Sequence, residues 1–506
     1  LNALRETTCG TTEFYIVITP DNVKNNRKEG IHVYQRRMRV FIGGITLLLS
    51  ITCFASATNS TIQTTPLRTS VVRDEVPAGW WGVGVGYPRI VQLHHGAEED
   101  NNVLLATFEE YKSGVGPGSP GYPIYRSEDL GVSWSCIATV YDPVNTNDQQ
   151  AEYQPYLYEL PDDFGTLEKG TLLLAGCSVD AAHSTRSCLQ LYKSTDGGYT
   201  WSFLSTIATG GGLESGVWEP FLLLIGDELV CYYSDSTEYA EHSQKLVYRS
   251  STNGTSWSDP VETVASSTQS DRPGMSVVTK LGDGRYFMVY ELVNNGVNNG
   301  NPICCKYSND GKNWGDVSSL GTIITSGTKT LGSAPYCIWS PVGGENGTLF
   351  VCGTFMRTGS STTGTDYFVS HDYGATWETL PHPIPYTVEY SHGYSSPMAL
   401  SADGKLLFVL NNDTDPNGVT PAEGRDPRAR IEFALVELET GAASLPGNLP
   451  PASTSDEPDT APAAPAAPTA PTAVQTDKPA TDVAVTAGSP AGTADAATTA
   501  RDESKK

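Results

Sequence analysis

Apolar runs along this chain come in pairs, and the pairing occurs six times. GYPRIVQL (86–93) is followed after a polar turn by LLATFE, and YQPYLYEL (153–160) by LLLAGC. WEPFLLLI (218–225), DRPGMSVV (271–278), SAPYCIWS (333–340) and SSPMALSA (395–402) are followed by LVCYYS, YFMVYE, LFVCGT and LFVLNN. Each run has the length of a strand rather than a helix and is bounded by turn residues. A second phrase is interleaved with these pairs: SEDLGVSW (127–134), STDGGYTW (194–201), SSTNGTSW (250–257), SNDGKNW (308–314) and SHDYGATW (370–377). Its tryptophans, at 134, 201, 257, 314 and 377, alternate strictly with prolines 88, 155, 220, 273, 335 and 397. A period of about sixty residues with strand-like sequence between copies predicts a radial array of six four-stranded units. The sixth unit lacks the tryptophan phrase. ARIEFALVEL (429–438) and the stretch after Leu67 are expected to supply its remaining strands and close a ring.

The tryptophan phrase is turn chemistry. An Asp or Asn side chain caps backbone N–H groups, Gly takes a positive φ, and Trp packs into the sheet. The pattern Ser-x-Asp-x-Gly-x-x-Trp resembles the Asp-box of sialidase-like β-propellers. The expected fold class is therefore all-β, a six-bladed β-propeller with four-stranded antiparallel blades. Copies three and four read as degraded, with Thr252 at the Asp position and a residue missing before Gly311.

Composition limits the rest. The 506 residues carry a formal net charge of −25, which disfavours nucleic acid and anionic membrane as partners. Met38 opens MRVFIGGITLLLSITCFASA, an apolar stretch behind basic residues that ends in the cleavage signal Ala55-Ser56-Ala57. Residues 38–57 are expected to be a signal peptide, with 1–37 outside the mature protein. Residues 58–440 form the catalytic propeller, and 441–506, rich in Ala, Thr and Pro, form a disordered tail. The protein is expected to be secreted and monomeric. Eight cysteines follow the cut, an even count that permits disulfides without fixing their connectivity. No Cys/His cluster has zinc spacing, so neither metal nor cofactor is expected. Sequons at Asn59, Asn253, Asn346 and Asn412 are candidate glycan acceptors.

Candidate chemistry collects where the inner strands begin. The residues before the six prolines are Tyr87, Gln154, Glu219, Arg272, Ala334 and Ser396. Four are large and polar, each opening an apolar strand, and a radial array brings such positions to one funnel. Arg89, Tyr153, Trp218 and Tyr394 are placed to add a hydrogen-bonding rim and stacking surfaces. The second strand of each unit runs back to the same face, so Glu291 at the end of YFMVYE is expected to approach Glu219 from the neighbouring blade. Two glutamates so placed are the pair a retaining glycosidase needs, one protonated to donate and one ionised to attack. Singly, either is more often a solvated or Arg-paired residue.

GVWEPFLLLIGDELVCYYSD (216–235) and DRPGMSVVTKLGDGRYFMVYE (271–291) resemble paired segments of glycoside hydrolase family 93, and the similarity runs across about 75–440. That resemblance implies a retaining exo-α-1,5-L-arabinanase on a six-bladed propeller, acting on linear arabinan without a metal and releasing arabinobiose from the non-reducing end. Residue by residue it makes Glu219 the general acid/base and Glu291 the nucleophile. Two other readings compete. An exo-sialidase would need a Phe/Tyr-Arg-Ile-Pro phrase where Tyr87-Pro88-Arg89-Ile90 stands, and a third arginine that is not evident. A non-catalytic carbohydrate-binding propeller would have no reason to keep both glutamates.

Overall fold

The computed structural model describes residues 62–74, 84–110, 121–143, 150–180, 185–293, 300–384, 394–413 and 429–439. Near the amino end it adds the strand pairs Ala3–Thr8 with Thr11–Ile16 and Arg37–Ile42 with Ile45–Ser50. The expected cleavage signal at 55–57 and the tail from 441 lie outside the described residues. Among those described, no helix is long and apolar enough to cross a membrane.

Six sheets follow one another along the chain, each a four-stranded antiparallel meander. Their first and second strands are Val85–Gln92 with Leu104–Glu110, Gln150–Glu159 with Leu172–Asp180, Val217–Ile225 with Glu228–Asp235, Arg272–Lys280 with Tyr286–Val293, Tyr336–Ser340 with Thr348–Cys352, and Met398–Leu400 with Leu406–Asp413. We number these sheets one to six. The sixth is completed by Arg430–Glu437 and then by Pro66–Arg73 from the start of the chain, as the apolar pattern predicts. First strands of successive sheets lie against one another, and that of sheet six returns to that of sheet one. The architecture is all-β and consistent with a β-propeller.

Burial explains the sequence pattern. Second strands such as Leu104–Glu110 and Thr348–Cys352 are buried at every position, because neighbouring sheets cover both faces. Their composition is correspondingly continuous and apolar. Outer strands such as Ser135–Val140 are half-exposed and mixed. A seventh sheet is absent from the sequence expectations. It joins the hairpin Thr325–Ser326/Lys329–Gly332, between sheets four and five, to Phe355–Thr358/Ser361–Gly364, inserted within sheet five. Its strands are short and rich in Thr, Ser and Gly, so no apolar run announces them.

The tryptophan phrase forms one turn five times, between the third and fourth strands of sheets one to five. Asp129 Oδ1 accepts the backbone N–H groups of Val132 and Ser133 at 3.0 and 2.9 Å, while Ser127 Oγ accepts that of Gly131 at 2.8 Å. Asp196, Asp310 and Asp372 do the same in their copies. In copy three the capping residue is Asn253, not the position assigned to Thr252: its Oδ1 takes the N–H groups of Thr255 and Ser256. Copies three and four are a shorter form of the turn rather than degraded ones. The longer form inserts one residue before the glycine, and that residue is left-handed: Leu130 (φ 55°), Gly197 (φ 71°) and Tyr373 (φ 58°). Each turn is also tied to the preceding sheet. Carbonyls of Gly131, Gly197, Gly254, Gly311 and Tyr373 accept bonds from Ser70, Arg126, Ser205, Tyr232 and Tyr307.

Seven of the described cysteines, all except the exposed Cys136, are buried free thiols. They serve as small apolar core residues. No disulfide joins these seven.

Candidate functional site

The site is built from a repeated irregularity. In sheets one to four the pairing of first and second strands skips two residues, between Gly86 and Arg89, Tyr153 and Tyr156, Trp218 and Phe221, and Gly274 and Val277. The first skipped residue is left-handed in each: Tyr87 (φ 49°), Gln154 (φ 55°), Glu219 (φ 61°) and Met275 (φ 58°). A bulge re-aims a side chain at the end of a strand, and a side-chain-bearing residue held there costs about 1–3 kcal/mol. In sheets one to three the bulge falls on the residue before proline, as expected. In sheet four it falls on Met275 rather than Arg272. Arg272 instead stands in the regular ladder opposite Val293, so it is not in register with Glu219.

In sheets two to four the bulge frees a backbone N–H from the ladder, and a side chain from the preceding sheet accepts it, as also happens just before the first strand of sheet five. Gln154 N donates to Glu109 Oε1 (2.7 Å), and Glu219 N to Gln154 Oε1 (3.0 Å). Met275 N donates to Glu219 Oε2 (2.8 Å), and Ala334 N to Glu291 Oε2 (3.0 Å). Both candidate glutamates are therefore fixed by the same bonds that seat one sheet against the next. Ser234 and Ser333 each add a hydroxyl, at 2.6 and 2.9 Å, to the same Oε2 atoms.

These side chains surround a cavity of about 460 Å³. Of the sequence candidates, Tyr87, Tyr153, Gln154, Trp218, Glu219, Arg272, Glu291 and Tyr394 line it. Arg89 does not. It is buried, its guanidinium 4.1 Å from the centre of the Tyr87 ring and bonded to the Pro88 carbonyl, and so cannot form part of a rim. Glu109, Gln244, Met275, Val293, Asn301 and Ser333 complete the lining and were not singled out in the sequence. For Glu109 a signal existed: it ends LLATFE opposite Gly86 as Glu291 ends YFMVYE opposite Gly274. No residue of the five capped turns lines the cavity.

Gly274 sits between the two glutamates. Glu219 Oε2 and Glu291 Oε1 each lie 3.6 Å from where its side chain would begin, so these oxygens are at most twice that distance apart. Burial and then the charge of Glu291 push Glu219 up to about 7, against the pull of Ser234, the Met275 N–H and Arg272. Burial also raises Glu291, opposed by the Ala334 N–H, Ser333 and Arg272. Glu219 is thus the group that keeps its proton toward neutrality. With its Oε2 accepting two hydrogen bonds, the proton belongs on Oε1.

A comparison with solved structures finds an α-L-arabinanase of Penicillium chrysogenum, complexed with arabinobiose, at 33% identity. The match covers 74% of this chain and 98% of that one, with a TM-score of 0.62. This chain belongs to glycoside hydrolase family 93. An α-L-arabinofuranosidase of Fusarium graminearum with an iminosugar inhibitor matches at 29% identity over 74% and 98% of the two chains, TM-score 0.62. The family 93 α-L-arabinofuranosidase of that organism with arabinobiose matches at 30% over 73% and 98%, TM-score 0.60. The model of a BNR repeat-like domain covers residues 110–323. No curated protein matches. Family 93 membership makes this cavity, with its two unequal carboxyls, the place to seek glycosidic bond cleavage.

One other cluster has metal-ligating types among the described residues: His94, His95 and Glu159. Glu159 accepts three backbone N–H groups, those of His94, His95 and Gly96. His94 Nδ1 lies 3.1 Å from the Gln92 carbonyl. The carboxylate fastens the turn of sheet one to sheet two, a structural role.

Proposed function

We propose that the protein is a secreted, monomeric, six-bladed β-propeller enzyme that hydrolyses linear α-1,5-linked L-arabinan from its non-reducing end with retention, releasing arabinobiose. The observation that carries the reading is the Glu219–Glu291 pair facing each other across Gly274 with unequal proton affinity. The arabinose-directed relatives that share 98% of their length with this chain support the substrate.

The chemistry follows from which oxygens are free. Glu291 Oε2 is held by Ser333 and Ala334, leaving Oε1 as the nucleophile that attacks the anomeric carbon. Glu219 donates its Oε1 proton to the departing oxygen, and the glycosidic bond breaks as the glycosyl-enzyme forms. Glu219, now ionised, takes a proton from water, which displaces Glu291 and gives net retention. The close approach of the two carboxyl groups on either side of Gly274 is compatible with the retaining separation of about 5–5.5 Å. Trp218 and Tyr394 offer faces for a sugar ring, and Tyr87, Gln154 and Gln244 offer hydroxyl partners.

Linear arabinan digested by the protein, with products followed by chromatography and early-time NMR, tests this reading. Arabinobiose with the α configuration first is expected. A ladder of longer oligosaccharides would refute exo action, and first-formed β anomer would refute retention. Peptide mapping of secreted protein should find an amino terminus near Thr58.

A further inference from the structure

Sequons are indistinguishable by sequence alone, but the fold treats them differently. We propose that Asn253 is an N-linked glycan attachment site and that Asn346 and Asn412 remain bare. The proposal rests on the secretory reading, not on the arabinan reading.

Asn253 caps the turn of sheet three, where the four other copies carry Asp129, Asp196, Asp310 and Asp372. The turn uses one atom of the side chain. Oδ1 accepts from Thr255 N (2.9 Å), Thr255 Oγ1 (3.0 Å), Ser256 N (2.9 Å) and Ser251 Oγ (3.2 Å). Nδ2 makes no hydrogen bond among the described residues, and Asn253 is exposed. An aspartate oxygen serves the turn equally well, so the carboxamide nitrogen at this one copy is surplus to the fold. Asn253-Gly254-Thr255 also brings the sequon hydroxyl against the asparagine it serves.

The other two described sequons spend that nitrogen. Asn346 Nδ2 donates to the His371 carbonyl at 3.1 Å. Asn412 is 1% exposed, and its Nδ2 donates to the Val85 carbonyl at 3.0 Å, joining sheet six to sheet one. A saccharide there would have to occupy the closing seam of the ring, so folded protein carries none.

The step is a group transfer. Asn253 Nδ2 attacks C1 of the terminal sugar of a lipid-linked diphosphate oligosaccharide. The C1–O bond to the diphosphate breaks, the lipid diphosphate leaves with the electron pair, and Nδ2 gives up one proton. Asn253 and the cavity residue Gln244 lie at opposite ends of the strand Lys245–Ser251, about 20 Å apart at the rise of a strand. The glycan therefore stands clear of the cavity.

The test is the full chain secreted from a eukaryotic host, with glycopeptides mapped before and after endoglycosidase release. Expected are an occupied Asn253, bare Asn346 and Asn412, and loss of one glycan mass in Asn253→Asp with an unchanged melting temperature and unchanged hydrolysis. Bare Asn253 in protein recovered from the medium, or sugar on Asn412, would overturn the proposal. So would a chain recovered from the cytosol, because it never meets the transferase. None of these outcomes depends on which glycan the enzyme cleaves.

Discussion

Glu219 does two things with one carboxyl group. Its Oε2 seats sheet four by accepting the Met275 N–H, and in the proposed reaction its Oε1 is the atom that meets the substrate. A carboxyl raised to about 7 in the folded chain costs stability wherever the unfolded chain is already ionised. The cost is absent below the ordinary carboxyl range, grows as pH rises through it, and is complete above about 7. From 4.5 to about 7 it amounts to about 3 kcal/mol at most. Glu219→Gln keeps an oxygen for Met275 and removes the charge, so it should melt higher than wild type at pH 8, with the gap closing toward pH 4. A constant gap across that range would show that burial of the charge is not what raises this group. Ser234→Ala tests the opposite term. Losing a donor to the ionised form raises Glu219 further, so the alkaline limb of the rate profile should move to higher pH. A purely structural serine would lower the rate without moving the limb. Gly274→Ala places a Cβ 2.6 Å from Gln244 Nε2 and in the gap between the carboxyls. It should cost kcat/KM at least about 100-fold, while the side-chain amide gives way and keeps the melting point within a few degrees.

What was legible at this scale had a covalent marker. Glu219 is found because a proline follows it, and Glu291 because it ends an apolar run. Met275 carries the bulge of sheet four three residues past Arg272, and Arg272-Pro273 imitates the other bulges so well that proline counting selects the wrong residue. Ser234 stands at the position of Glu291 in the neighbouring sheet, opposite Trp218, yet a serine at a strand end says nothing until Glu219 is beside it.

At the scale of elements, the capped turn works as a clamp. Its Asp satisfies its own turn, and its carbonyl receives the preceding sheet. Asp196→Ala should cost about 1 kcal/mol, as a lost cap does, and leave hydrolysis unchanged; a large rate loss would bring these turns into the chemistry. Gly131→Ala should be worse, because φ is 84° and the new Cβ would lie 2.1 Å from the Phe433 ring of sheet six. The alternation of proline and tryptophan made six of the seven four-stranded sheets readable, since each needs a buried second strand. The seventh buries only a few side chains, Leu331, Phe355 and Met356, and is specified by Gly and Thr in tight hairpins, which sequence periodicity does not detect. Reading copy three with a fixed spacing put Thr252 at the cap, whereas hydrogen bonding follows the Asx-Gly pair and gives Asn253.

At the scale of the molecule, the chain closes on itself. Pro66–Arg73 completes sheet six against Arg430–Glu437, and Ile62 bridges Glu439. Closure buries Val72 and covers Phe433, Ala434 and Leu435, several side chains at about 1.5–3 kcal/mol each for the larger ones. Removing residues through Arg73 should therefore lower the melting temperature by well over ten degrees, whereas cutting before Ile62, or after Pro450, should leave stability and hydrolysis of small substrates intact. Equal melting of the two amino-terminal truncations would mean that the ring does not depend on this strand.

The central claim is the division of labour between the two glutamates, and the configuration of a rescued product tests it most directly. With an aryl α-L-arabinoside whose leaving group needs no proton, Glu219→Ala supplied with azide should form arabinosyl azide of retained, α configuration, because azide replaces the base-activated water on a glycosyl-enzyme held by Glu291. The NMR spectrum of that product decides the matter. A β-arabinosyl azide from Glu219→Ala, or α-arabinosyl azide from Glu291→Ala, would contradict the assignment of nucleophile and acid made here.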